Sequence, residues 1–169
     1  MLLLIQTIIL ALGAIPLFLI AQKILNSKNI ALVFAFIFLI NPAVNFTNLY
    51  DFHAVVLATN FLLGAFYFLL IKQYWFFLLF AILSTLTKEN VWIIIALLGG
   101  YIFIKNIFAG SWRLKVLGIV IFIISLAVFY YLTAYAIPGA RGSDHFALVY
   151  YSDFGQSPSE IIKNIVFSP

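Results

Sequence analysis

Charged residues are scarce in this sequence, and cysteine is missing altogether. Only 8% of the 169 residues are charged, 66% are apolar, and the mean hydropathy is +1.18. A typical soluble domain is about a quarter charged and about half apolar. The composition therefore excludes a water-soluble globular protein. It also excludes a disordered chain, because disorder requires low hydrophobicity and high charge.

The missing residue types exclude several kinds of site as well. Without cysteine, the chain has no disulfide, thiolate metal ligand or cysteine nucleophile. Two histidines make a multi-histidine zinc site improbable. We therefore predict no bound metal and no cofactor. In a membrane protein, a net charge of +4 is evidence about the orientation of the spans rather than about nucleic-acid binding. We therefore expect no nucleic-acid partner.

Six apolar runs predict an all-α, polytopic transmembrane helical bundle of about six spans. A spanning helix needs about 20 apolar residues to cross about 30 Å of hydrocarbon. The runs cover residues 2–21, 30–40, 54–71, 74–86, 91–104 and 114–137, and Pro16 predicts a kink in the first. We assign residues 1–137 to the bundle. Residues 138–169 are assigned to an outward-facing polar loop and the start of a capped helix.

Basic residues predict the orientation of this bundle. They cluster near span ends on three alternate connections: Lys23 and Lys28, then Lys72, then Lys105, Arg113 and Lys115. Because basic residues near span ends favour the cytoplasmic side, the remaining connections face outward. Met1 is then outside, so we interpret the chain as a fragment of a larger polytopic protein. We predict a multi-pass protein of the plasma membrane, with membrane lipids as partners.

Asp51 and His53 lie at the entry to the third predicted span. A charge so close to the hydrocarbon is costly and tends to be functional or paired. In one interpretation Asp51 caps the third helix and His53 is an interfacial aromatic residue. In the other, both side chains line a cavity for a phosphate, a sugar or a divalent cation.

Lys88 and Glu89 lie between two short apolar runs. Counted from Lys72 at about 1.5 Å per residue, Lys88 is about 24 Å along its span, short of the hydrocarbon thickness. We therefore expect a polar turn recessed below the outer surface, where such backbone is tolerated only against protein or water. Charges at that depth often mark a binding site. The alternative is that the two charges neutralise each other and reach the interface.

Arg141 belongs to a third polar region, residues 140–160. Its planar guanidinium suits the geometry of a phosphate. The region is interpreted either as a loop that covers a sugar or pyrophosphate, or as a solvated connection with interfacial tyrosines.

Four motifs occur together in this chain: Leu39-Ile40-Asn41-Pro42, Tyr50-Asp51-Phe52-His53, Thr87-Lys88-Glu89 and Tyr151-Ser152-Asp153-Phe154-Gly155-Gln156-Ser157-Pro158. They resemble a prokaryotic family of predicted membrane proteins, the domain of unknown function 2079. That family is similar, more distantly, to the C-type (GT-C) membrane glycosyltransferases. Those enzymes take a sugar from a polyprenyl-phosphate carrier on the outer side of the membrane.

The resemblance implies site residues and a reaction. Asp51, after Pro42, looks like the acidic residue that opens an outward helix in related lipid-A and protein sugar transferases. Thr87-Lys88 is similar to the start of a Thr-Lys-Gly-Pro turn whose lysine meets the carrier phosphate, whereas Glu89-Asn90 departs from it. The superfamily's usual catalytic carboxylate lies in a large outward loop after the first span. That loop is expected to be missing from this chain.

We therefore predict a polyprenyl-phosphate-sugar-dependent glycosyltransferase-like membrane protein that acts at the outer face. Asp51 and His53 are its catalytic candidates, and Lys88, Glu89 and Arg141 are its candidates for binding substrate or phosphate. Two other classes stay open. One is a transporter or flippase-like protein whose recessed charges bind an ion or a lipid headgroup. The other is a structural membrane subunit in which these charges only cap and pair.

Overall fold

A computed structural model describes residues 1–49, 54–108, 110–141, 154–155, 160, 163–164 and 167, except for the side chain of Arg141. In this part of the chain the elements are helices joined by short turns, with no strand. The predicted all-α fold is confirmed. The chain divides into two compact units, Met1–Leu98 and Gly99–Pro169. The predicted boundary after residue 137 stays a prediction.

Among the described residues, three helices are long and apolar enough to cross a membrane: Leu2–Leu25, Lys28–Leu49 and Trp112–Ala140. Three shorter apolar helices are Val55–Leu70, Tyr74–Thr85 and Val91–Asn106. The six predicted runs therefore all form helices, but only three of them reach spanning length. Several large apolar side chains are exposed on each of these helices except Val55–Leu70, where Val55 is the one such residue. Such a surface is unfavourable in water and suits contact with lipid or with other membrane helices.

The first candidate span consists of two helical segments that meet at Gly13, whose backbone stays in the right-handed helical region. Helix α1 (Leu2–Leu12) is followed by Gly13 and then by α2 (Ala14–Leu25). This junction lies three residues before Pro16, at which a kink is predicted. Pro16 has no N–H to donate to the carbonyl of Leu12, and its ring crowds that carbonyl. At Gly13, where α1 ends, the backbone N–H therefore lies nearer to the carbonyl of Leu10, at 3.0 Å, than to that of Ile9, at 3.3 Å, so the last turn of α1 is tightened.

The second candidate span also consists of two helices. Helix α3 (Lys28–Ile40) ends at Asn41, and α4 (Pro42–Leu49) begins at once. The side-chain oxygen of Asn41 accepts a hydrogen bond from the backbone N–H of Ala43 at 2.8 Å, as an N-cap does. Pro42 occupies the first helical position, where its missing N–H costs nothing. Helical structure thus continues nine residues beyond the predicted end at Ile40.

Helices α5 (Val55–Leu70) and α6 (Tyr74–Thr85) form an antiparallel hairpin. Aromatic rings set the register: Phe61 and Phe80 are 6.3 Å apart between ring centroids, and Phe68 and Phe76 are 5.0 Å apart. The start of α5 therefore lies beside the end of α6. Such pairs contribute beyond simple burial when their rings are tilted or offset.

The second unit is built from a helical hairpin. Helix α7 (Val91–Asn106) begins in the first unit and continues into the second, where it packs against α8 (Trp112–Tyr131). A π-helical turn, Leu132–Ala136, connects α8 to α9 (Ile137–Arg141). In this turn the N–H of Ile137 donates to the carbonyl of Leu132. The wider turn lets the helix pass through Pro138, so it continues four residues beyond the predicted end at Ile137.

Candidate functional site

Polar side chains of the first unit collect at one end, which we call the polar end. Helix α1 packs against α4 and α5. Gln6 near the start of α1 meets Thr47 near the end of α4, so these two helices are antiparallel. The α5–α6 hairpin brings the turn after Thr85 beside the start of α5. The polar end therefore comprises residues 2–9, 43–49 and 54–60, together with the turn 86–90.

Gln6 anchors α1 to α4. Its side chain is fully buried, and its Nε2 donates a hydrogen bond to the carbonyl of Thr47 at 3.2 Å. One residue on, the hydroxyl of Thr7 donates to Oδ1 of Asn48 at 3.0 Å and also lies 2.9 Å from the carbonyl of Leu3. A buried amide in an apolar bundle is costly unless it is satisfied. The contact of Gln6 therefore fixes the register of the two helices at the polar end.

Asn60 ties α5 to the first candidate span. Its Nδ2 donates to the carbonyl of Ile9. Its Oδ1 is buried and has no hydrogen-bond partner among the described residues. A Cβ atom added to Gly13 would overlap that oxygen. Because Gly13 has no side chain, the Asn60 side chain can pack against the backbone where α1 meets α2.

The turn between α6 and α7 is short and polar. Three hydroxyls at the end of α6 donate to backbone carbonyls three residues earlier: Ser84 to Ala81, Thr85 to Ile82, and Thr87 to Ser84, at 2.7, 2.8 and 2.7 Å. The N–H groups of Val91, Trp92 and Ile93 donate to the carbonyls of Lys88, Glu89 and Asn90, each at 3.2 Å. These bonds hold the turn in one conformation without using the charged side chains.

Lys88 and Glu89 are both half-buried in this turn. No ion pair between the two side chains is found among the described residues. Glu89 has an interaction partner in the structure. For Lys88, no side-chain hydrogen bond or ion pair is found among the described residues. A half-buried ammonium group in this position is a donor for an anionic ligand.

The remaining predicted site residues are Asp51, His53 and Arg141. Asp51 and His53 lie outside the described residues, although Leu49 and Ala54, which flank their segment, both belong to the polar end. Arg141 ends α9 in the second unit, and its side chain is also outside the described part. The assignment of roles to all five residues stays a prediction. Groups of three or more histidine, aspartate or glutamate side chains are not found among the described residues.

Sequence reasoning missed the amides of this end. Gln6 and Thr7 interrupt an otherwise apolar run, and Asn60 is the one amide within α5. A polar residue inside an apolar span is expensive and tends to face the bundle interior. This signal was present in the sequence, but it does not reveal which helix supplies the partner.

Comparison with known proteins gives one match. A family model described as "Predicted membrane protein (DUF2079)" matches the whole chain, residues 1–169. No curated protein and no solved structure matches the chain. The comparison therefore supports a membrane protein and assigns no activity.

Proposed function

The chain belongs to the DUF2079 family of predicted membrane proteins, and from that premise we propose that it is a polyprenyl-phosphate-sugar-dependent glycosyltransferase-like protein. It acts at the outer face of a prokaryotic plasma membrane, where a lipid carrier presents its sugar phosphate. One observation supports this most directly. Lys88 is half-buried at the polar end, and its charge has no partner among the described residues.

The proposed reaction needs a positive charge close to the phosphate of the lipid carrier. The bond between the sugar carbon and the carrier's phosphate oxygen breaks, and the acceptor oxygen bonds to the same carbon. The leaving phosphate gains negative charge, and a half-buried ammonium group stabilises it more strongly than a solvated one. In our assignment Lys88 therefore binds the carrier phosphate.

The remaining roles follow the chemistry of the acceptor. The acceptor hydroxyl must lose its proton to a positioned base, and we assign that role to Asp51 and His53. In the sequence both residues stand between Leu49 and Ala54, the two described residues of the polar end that flank them. Glu89 is assigned to the sugar hydroxyls. Arg141 stays a predicted phosphate-binding residue on the sequence alone.

The decisive experiment measures binding and turnover of polyprenyl-phosphate sugars by the full-length protein in lipid nanodiscs. We expect Lys88→Ala to weaken donor binding by about 10- to 100-fold, the usual range for one charged hydrogen bond. Asp51→Asn should reduce turnover more than binding. Lys23→Ala removes an exposed lysine from the end of α2 and should change neither. Unchanged binding and turnover in both site variants would exclude the transferase.

A transporter or flippase-like function is the second candidate, because the second candidate span is interrupted at Asn41, whose backbone is not helical. Discontinuous helices line the substrate sites of many secondary transporters. Reconstituted liposomes discriminate between the two functions. Ion flux or lipid translocation without any sugar donor favours the transporter, whereas donor-dependent product formation favours the transferase.

A further inference from the structure

The turn between α7 and α8 combines positive charge with exposed aromatic rings. Lys105 lies in the last turn of α7, and Arg113 and Lys115 lie at the start of α8. We call these three residues the basic turn. Between them, Phe108 is 96% exposed and Trp112 is 75% exposed. Tryptophan and tyrosine side chains favour the level of the lipid headgroups.

The charge of the basic turn is not compensated locally. Residues 90–143 contain no aspartate or glutamate. The Nζ atom of Lys105 lies 3.2 Å from the hydroxyl oxygen of Tyr101 and 5.3 Å from the centroid of its ring. This neutral neighbour orients the ammonium group by a cation–π contact without neutralising it. Among the described residues, none of the three cations forms an ion pair.

An apolar groove is lined by the same two helices, α7 and α8. It has a volume of about 320 Å³ and is lined by Gly100, Phe103, Ile104, Ile119 and Phe122. Ile104 precedes Lys105 in the sequence, and Ile119 follows Lys115 by four residues. At about 1.5 Å per residue the groove begins within about one helical turn, or 6 Å, of the cations. That separation suits the distance between a lipid phosphate and the upper part of its acyl chain.

We propose that the basic turn and this groove bind one anionic glycerophospholipid, with its phosphate at Lys105, Arg113 and Lys115 and an acyl chain in the groove. Charge complementarity selects the headgroup, because a zwitterionic lipid carries a cation that three basic residues repel. The wholly apolar lining selects a hydrocarbon chain rather than a polar peptide. On the predicted topology this lipid belongs to the cytoplasmic leaflet, where anionic lipids attract basic segments. The site shares no residue with the proposed donor site.

Tryptophan fluorescence tests the headgroup. The chain has three tryptophans, Trp75, Trp92 and Trp112, so a variant that retains only Trp112 reports on the basic turn. Trp75, 85% exposed at the start of α6, provides a matched variant. Each is reconstituted in phosphatidylcholine vesicles with a minor fraction of brominated phosphatidylglycerol or brominated phosphatidylcholine. We expect brominated phosphatidylglycerol to quench Trp112 more strongly than brominated phosphatidylcholine does. The difference between the two lipids should be smaller for Trp75. Equal quenching of Trp112 by the two lipids would contradict a headgroup-specific site.

Charge removal measures the contribution of the cations. Each substitution among Lys105→Gln, Arg113→Gln and Lys115→Gln should lower the preference for phosphatidylglycerol about fivefold, equivalent to about 1 kcal/mol per basic residue near the surface. Lys23→Gln removes the same charge elsewhere and should leave the preference unchanged. If Lys23→Gln lowered it as much, the attraction would be a general surface effect and our site would be wrong.

A larger side chain at Gly100 tests the groove. A Cβ atom there would lie 3.5 Å from Cδ2 of Phe122, an ordinary contact, so the backbone accepts a side chain. Gly100→Leu should occupy the groove and reduce quenching of Trp112 by the anionic lipid, whereas Gly100→Ala should reduce it little. Circular dichroism checks that both variants keep their helices. Full retention of lipid selectivity in a folded Gly100→Leu variant would overturn the acyl-chain part of our proposal.

Discussion

Adjacent glycines on α7 should respond in opposite ways to the same substitution. A Cβ atom added to Gly99 would lie 2.8 Å from the backbone nitrogen of Phe122 and 2.9 Å from the carbonyl oxygen of Gly118. Backbone atoms cannot rotate away as a side chain can. At Gly100, one residue later, the nearest atom is a ring carbon of Phe122 at 3.5 Å. We therefore predict that Gly99→Ala destabilises the α7–α8 hairpin and that Gly100→Ala does not.

The magnitude follows from this geometry. Alanine favours a helix over glycine by about 1 kcal/mol at both positions, so this gain cancels when the two variants are compared. Relieving the contacts at Gly99 requires α7 and α8 to move apart by roughly half an ångström, and overpacking of this kind costs about 1–3 kcal/mol. The free energy of unfolding of Gly99→Ala should therefore be about 1–3 kcal/mol below that of Gly100→Ala.

Reversible unfolding in mixed detergent micelles, followed by helical circular dichroism, measures this difference. Gly118→Ala is a check from the partner helix, because its Cβ atom would meet the backbone nitrogen of Phe103 at 2.5 Å. It should be at least as destabilising as Gly99→Ala. Equal stabilities for the Gly99 and Gly100 variants would refute the close helix crossing from which the estimate is made.

Two further predictions concern the polar end. Gln6→Leu should lower the free energy of unfolding by about 1 kcal/mol, because the carbonyl of Thr47 loses a buried donor. Gln22→Leu makes the same change at a half-buried glutamine of α2 and is the control; an equal loss of unfolding free energy there would contradict the assignment. Gly13→Ala should destabilise through its overlap with Asn60, and Asn60→Ala should remove much of that cost. A double-mutant cycle that gives a coupling energy below about 0.5 kcal/mol would argue against this contact.

The helices were predictable because apolar length is a strong signal, whereas their ends were not. Asn41-Pro42 is a reasonable stop signal, since the residue before a proline is disfavoured in helix. The same pair is also a good start signal, with Asn41 as cap and Pro42 at the first position. A single sequence does not distinguish one helix ending here from two helices meeting. Pro138 is ambiguous in a similar way, because a π-helical turn lets the helix pass through it.

The candidate site was predictable only in part, because charge is visible in a sequence and pairing is not. Lys88 and Glu89 stand out between apolar runs, and the structure places both, half-buried, in the turn expected there. That they form no ion pair with each other depends on side-chain directions in a five-residue turn. Gln6 has no charge, and its importance arises from Thr47, 41 residues away. Contacts at that sequence separation come from packing, which no local pattern encodes.

Two polar groups at this end, Gln6 and Lys88, differ in a way that separates folding from function. Gln6 is fully buried and hydrogen-bonded to the backbone of another helix, so its interaction energy already belongs to the folded state. Lys88 is only half-buried, and among the described residues nothing compensates its charge. Removing Lys88 should therefore cost little stability, within about 0.5 kcal/mol as for an ordinary surface substitution, and should impair anion binding. Removing Gln6 should lower stability and leave anion binding by the folded protein intact. If Lys88→Ala instead unfolded the protein, Lys88 would be a structural residue, and the polar end would have no free cation to offer a carrier phosphate.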